Sequence, residues 1–121
     1  MNDKMTFKRS CCPITIVLDI LGDKWTLLVI RDLVLGKRRY QEFLSSPEKI
    51  ASNILADRLA KLEAAGLVTR RAYQQKPARH EYLLTKKGKG LEPVLEAIIA
   101  WGQKHYPGSK RFPRVEHGKE G

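Results

Sequence analysis

Apolar residues recur along this chain with two different periods, and the change of period marks out its elements. In the run PITIVLDILG, Ile14, Val17, Leu18 and Leu21 fall at i, i+3, i+4 and i+7, the spacing of one helix face. Pro13 suits the opening turn of that helix, and Gly22 is expected to stop it in the left-handed conformation. Asp23 then stands as N-cap of a second helix, KWTLLVIRDLVLG, apolar on most faces and ended at Gly36. Lys37 to Tyr40 read as a short basic connector that could add a minor strand. QEFLSS gives one or two helical turns before the breaker Pro47.

The next stretch is the most informative. SNILADRLAKLEAAG predicts an amphipathic helix in which Leu55, Leu59 and Leu62 share one face, with Ala51 nearby. Asn53, Asp57, Ala60 and Lys61 fall on the opposite face, polar and small enough for close approach to something. Gly66 ends the helix, and the period changes to that of strands: LVTRRAY, a turn QQKPARH, then EYLL. A helix running into a hairpin with basic residues at its tip is the outline of a winged helix-turn-helix. In such a domain the helix enters the DNA major groove and the hairpin lies along the backbone. After Thr85, a candidate cap, KKGKG loosens the chain before LEPVLEAIIAWGQKHY, where Leu91, Val94, Leu95, Ile98 and Trp101 form a helical stripe. Pro93 would kink this last helix or make it restart.

The fold class that follows is mainly α with a small β-hairpin wing, a winged helix-turn-helix with additional N- and C-terminal helices. Residues 1–10 read as a flexible arm, 11–106 as the domain, and 107–121, rich in Pro, Gly and charge, as a loose, disordered tail. The first and last helices lie outside what a minimal winged helix needs. Their stripes (Ile14, Val17 and Leu18; Leu91, Val94, Leu95, Ile98 and Trp101) require burial that so small a domain hardly offers. A second copy of the chain is the economical partner, and a two-fold dimer would match a palindromic operator.

Charge sharpens the choice of partner. Among 121 residues, 23 Lys+Arg against 13 Asp+Glu give a formal net charge of +10, which favours polyanions through counterion release. By itself this charge suits DNA, RNA or an anionic membrane surface. No segment approaches the roughly 18–20 uninterrupted apolar residues of a membrane span, and the polar N-terminus MNDKMTFKRS has no hydrophobic signal region, so the cytoplasm is the expected location. The adjacent Cys11 and Cys12 build no disulfide framework, in keeping with a reducing compartment. Scattered histidines and a tandem cysteine pair make no metal set. No phosphate loop, nucleophile elbow or paired-carboxylate cleft points to an enzyme, and no cofactor is expected.

The ordered set of segments resembles the HxlR family of bacterial and archaeal transcription regulators. CPITIVLDILGDKWTLLVIRDL, RRYQEF, ILADRLAKLEAAGLV, EYLLTKKG and PVLEAIIAWG carry the likeness over residues 12–105. Most specific are Cys12-Pro13 ahead of Gly22-Asp23-Lys24-Trp25 and the late Trp101-Gly102. The resemblance implies a homodimer, joined through its terminal helices, that represses or activates genes. Some members of the family sense oxidants, quinones or aldehydes through a cysteine at the position of Cys12.

Candidate contacts to double-stranded DNA can then be named. Ser52 suits an N-cap whose hydroxyl could also meet phosphate. Asn53, one step inside, can pair with a base edge. Arg58 flanks the leucine face, where an internal ion pair competes with DNA contact. Lys61 faces outward, as a solvated lysine or a contact. Lys76 and Arg79 bracket the hairpin tip, Arg70 and Arg71 point to opposite strand faces, and Lys37, Arg38 and Arg39 could anchor phosphate. Cys12 begins a helix whose N–H groups can lower a thiol pKa; it reads either as a sensor of a small-molecule or oxidant effector or as a small packed residue. Cys11 is a second or resolving thiol. The rival reading for the whole chain is a non-specific nucleic-acid-binding or structural winged-helix module without an effector.

Overall fold

Leu55, Leu59 and Leu62 are each at most 1% exposed, and the face they form lies in the core of the chain. They belong to α4 in a computed structural model that describes residues 7–115. The elements run α1 (Pro13–Leu21), α2 (Thr26–Val34), α3 (Tyr40–Leu44), α4 (Ser52–Ala64), β1 (Val68–Gln75), β2 (Ala78–Leu84), α5 (Lys86–Lys89) and α6 (Glu92–His105). α2 supplies Val29, Ile30 and Leu33 to the same core, α3 adds Phe43, and Leu67 and Val68 close it from the start of the hairpin. Each such aliphatic side chain contributes about 1.5–3 kcal/mol by leaving water.

Helix boundaries depart from the sequence pattern where side-chain capping decides them. Asp23 does not sit directly before α2. Its carboxylate reaches across two residues, accepting the N–H groups of Trp25 at 2.7 Å and Thr26 at 2.9 Å, so the helix starts at Thr26. Gly22 does not adopt the left-handed conformation, its φ being −79°. It is needed because a Cβ there would collide with the carbonyl of Leu18, to which its N–H is bonded at 2.8 Å. Gly66, by contrast, has φ +79° and turns the chain from α4 into β1. The N-cap expected at Ser52 falls instead on Ala51, which offers no side-chain bond. Ser52 is the first helical residue, and Ala51 is exposed rather than packed beside the leucines.

The hairpin is longer and its turn tighter than the sequence pattern implies. Gln74, Gln75, Ala78, Arg79 and His80, read as turn, belong to the strands, and only Lys76 and Pro77 link them. Val68 pairs with Leu84, Arg70 with Tyr82 and Arg71 with Glu81, and the register slips between Ala72 and Gln74, leaving Tyr73 outside the pairing. The connector Lys37–Arg39 forms no strand but runs beside β2, where the Tyr82 N–H donates to the Arg38 carbonyl at 2.8 Å.

Thr85 caps α5 by accepting the Gly88 N–H at 3.0 Å. Pro93 sits in the first turn of α6, so the chain restarts there and the helix is not kinked. Beyond α6, Pro107–Val115 has neither helix nor strand, yet it is held more closely than the loose tail its composition suggests. The Val115 N–H donates to the Leu35 carbonyl at 2.7 Å, the Arg114 guanidinium to the Val34 carbonyl at 2.7 Å, and Arg111 pairs with Glu96. At the other end Phe7–Ser10 is exposed, with Arg9 paired to Asp19 at 2.8 Å. The parts of the expected arm and tail at 1–6 and 116–121 lie outside the described residues.

The stripes of the terminal helices divide. Ile14 is 70% exposed, Ile98 50% and Trp101 60%, and Val17, Leu18 and Val94 are also open. Leu95 is not: it is buried in the chain's own core, and Leu91 packs half-buried against that core. Among the described residues no helix is long and apolar enough to cross a membrane.

Candidate nucleic-acid interface

The helix-turn-helix is set by polar groups under its turn. Asp32, 4% exposed, accepts the Ser46 hydroxyl at 2.6 Å and pairs with Arg31 at 2.9 Å. Arg31 in turn pairs with Glu48, joining α2 to the loop before α4. Lys37 is drawn into this network, its ammonium 2.6 Å from the Ser46 hydroxyl and 3.8 Å from Asp32. It is therefore held inward and does not stand with Arg38 and Arg39 as a phosphate anchor.

The leading end of α4 is open. Ser52 and Asn53 are both exposed, and Asn53 lies on the side away from the buried leucines. The Tyr40 hydroxyl donates to the Ser52 carbonyl at 3.3 Å and ties this end to α3. Burial, with Tyr82 nearby, raises the Tyr40 pKa despite that bond, so its proton stays in place to make it. Tyr40 also lines an open cleft of about 400 Å³ with Arg39, Tyr73, Arg79 and His80. Connector, α3 start and wing therefore share one cleft, carrying two arginines and several aromatic rings, and Tyr40 ties the start of α4 to it.

The predicted site residues fall into three groups on this frame. Ser52, Asn53, Lys76 and Arg79 are exposed, and no acidic partner for Lys76 or Arg79 occurs among the described residues. Arg39 lines the cleft and Arg38 does not: Arg38 faces a separate cleft of about 620 Å³ with Thr69, Leu83, Lys89 and Arg114. Arg58 is engaged within the protein, whereas Lys61, its side chain 72% exposed, makes only a surface pair. Arg58 pairs with Asp23 at 3.1 Å and with Asp57, and Asp57 also takes Lys61 at 3.4 Å. For Arg58 the internal ion pair is thus realised. Burial alone would push the Asp23 carboxyl up, but the Thr26 hydroxyl, the N–H groups of Trp25 and Thr26, and Arg58 outweigh it and hold it far below the usual range.

Two features escaped the sequence reading. One is the Asp23–Arg58 link, made across 35 positions of chain and invisible to any local period. The other is Glu81, 5% exposed, paired with Arg71 at 2.8 Å and Arg39 at 3.6 Å. A turn of two residues would not by itself have revealed it, because that register alone sets Glu81 opposite Ala72, and only the slip at Tyr73 brings it opposite Arg71.

At the other end of the chain both cysteines are exposed, so Cys12 is not packed within its own chain. Cys12 occupies the N-cap position of α1. The Thr15 and Ile14 N–H groups, helped by the Thr15 hydroxyl, lower its thiol pKa against a small opposing effect of burial.

Comparison with known proteins agrees with this architecture. Residues 20–110 match the model of the HxlR-like helix-turn-helix family. The uncharacterised HTH-type transcriptional regulator YdeP of Bacillus subtilis strain 168 is 39% identical over 94 residues, spanning 78% of this chain and 73% of YdeP. Among solved structures, PA1607, a putative transcription factor, superposes with a TM-score of 0.75 at 35% identity, covering 93% of this chain and 80% of its own. The redox regulator HypR in its reduced form gives a TM-score of 0.71 at 35% identity, covering 77% and 92% respectively. The chain is a member of the HxlR-like helix-turn-helix family, a DNA-binding regulator of transcription and not an enzyme.

Proposed function

We propose that the protein acts as a homodimer on an inverted-repeat operator, with sequence-specific recognition by α4 and phosphate contacts from the wing. The observation that carries this reading is the open α4 start, tied through Tyr40 to the Arg39–Tyr73–Arg79 cleft. In this reading Asn53 meets a base edge and Ser52 a phosphate. Lys76, Arg79 and Arg39 meet backbone and fix the register. Arg58 and Lys61 act through the helix they brace, and Arg38 contributes only to the general positive field. The open faces of Ile14, Val17, Leu18, Val94, Ile98 and Trp101 support a dimer through α1 and α6. Exposure of Cys12 at a helix start, together with the likeness to a redox regulator, supports an oxidant or electrophile as effector. Its modification would change the spacing of the two α4 helices by altering how α1 packs.

Selection from random duplex DNA at physiological salt tests the central claim. The expected result is an inverted repeat with half-sites about one turn, roughly 34–36 Å, apart. Binding with no enriched motif, decaying with salt alike for every sequence, would replace the reading with a non-specific phosphate-tracking module. Oxidant that leaves operator affinity unchanged, with Cys12 alkylated at the rate of a free thiol, would remove the sensing role alone.

A further inference from the structure

A nearly buried carboxylate stands in the middle of a surface otherwise built for phosphate. Glu81 lies on β2, opposite Arg71 of β1, and its two oxygens are divided between two arginines. Oε2 accepts the Arg71 Nε–H at 2.8 Å, and Oε1 lies 3.6 Å from Arg39 Nε. Arg39 comes from a different part of the chain, the residue before α3, and its guanidinium rests 3.7 Å from the centre of the Tyr73 ring. Tyr73 is available for this because the register slip leaves it unpaired. The backbone is fixed as well: the Arg38 and Arg39 N–H groups donate to the Glu42 carboxylate at 2.7 and 3.0 Å.

Both guanidiniums keep an open side, Arg39 being 48% and Arg71 59% exposed in their side chains, while Glu81 is 6% exposed. Five N–H donors on a planar fork cannot all be used by a shared carboxylate, so donors remain for an incoming anion. An isolated glutamate here would repel DNA. One that orients two arginines instead removes their freedom before DNA arrives, which lessens the entropy lost on binding.

The geometry points to Glu81 as a positioning residue that holds Arg39 and Arg71 as a preformed clamp for the DNA backbone, locking the wing to the helix-turn-helix and so setting the register in which α4 meets its site. This rests on the reading of the wing as a phosphate-contacting element. Phosphate contacts carry no sequence information, yet they fix orientation. A disordered pair of arginines would still attract any duplex while losing the single register that base contacts require.

Glu81→Gln separates this from a passive role, because positioning and charge act in opposite directions. The measurement is the affinity of the full chain for its selected operator and for random duplex, at several salt concentrations. The expected result is a roughly tenfold fall in the operator-to-random ratio, the size of one good base contact, with random-duplex affinity unchanged or raised. If both affinities rise together and the ratio holds, Glu81 is only a repelling charge and the proposal fails; it fails also if neither changes. Should Glu81→Gln unfold, Arg39→Gln serves: the ratio should fall by a similar factor, and an unchanged ratio overturns the proposal. The Nε–H proton resonances of Arg39 and Arg71 in the free protein give a readout that needs no DNA. They should exchange slowly in the native protein, and rapid exchange there shows the clamp is not preformed, whatever becomes of the operator reading. Failure of the native protein to select any operator would sink the regulator reading instead, leaving the resonances to decide the role of Glu81.

Discussion

Position on one helix decides what each polar residue of α4 can do. Asn53 is exposed at the leading end, whereas Arg58, one and a half turns later, is spent on Asp23 and Asp57. Asn53→Ala should cost about 1–3 kcal/mol of operator affinity and leave random-duplex binding as it was. Lys76→Ala should weaken both equally and reduce the salt slope by about one ion. Titrations of the two variants against both DNAs check this, and a loss of discrimination confined to Lys76→Ala would reverse the assignment. Asp23 makes a prediction about pH. A carboxyl whose folded pKa lies below its unfolded value of about 3.9 stabilises fully above that value, and the contribution fades as pH falls toward the folded pKa. Asp23→Ala should therefore cost about 0.5–2 kcal/mol at neutral pH, the loss of a helix cap. The gap from the native protein should narrow below about pH 4, as urea denaturation at successive pH values would reveal. A gap that widens on acidification would mean the bonds to Trp25, Thr26 and Arg58 do not hold Asp23 ionised.

Elements were legible where one period ran unbroken and obscure where a side chain or a distant strand intervened. The leucine stripe of α4 needed no more than its 3.6-residue period, and Leu55→Ala should cost about 2–5 kcal/mol in equilibrium unfolding because Leu55 is fully buried. A loss under 1 kcal/mol would place that face at the surface. The start of the same helix was misplaced by one residue, because Ser52 is a favoured cap that makes no capping bond here. In the hairpin, Pro77 and the polar residues around it suggested a seven-residue turn. Cross-strand pairing instead extends to Gln75 and Ala78, a register that depends on two strands meeting and not on either alone. The site shared this limit. The exposure of Asn53 and Arg79 was readable from helix face and hairpin tip, while the Glu81 cluster depends on a register slip and on Arg39 arriving from outside the hairpin.

At the scale of the molecule, the apolar surface left open argues most strongly for a second copy. The sequence grouped Leu95 with Ile98 as residues of one interface, but folding separates them: Leu95 is 8% exposed and Ile98 50%. They should therefore fail in different ways. Leu95→Ala removes core packing and should destabilise the chain by about 2–5 kcal/mol. Ile98→Glu removes nothing from the core and sets a charge in the middle of an apolar face, so helical content should persist while sedimentation shifts from dimer to monomer. Operator affinity should then fall far more than affinity for an isolated half-site, since joining two modules raises overall binding by roughly 10²–10⁴-fold through effective concentration alone. An Ile98→Glu protein that sediments as a dimer would show that α6 is not the seam. The apolar face of α1, with Ile14 its most exposed residue, would then have to carry the dimer alone.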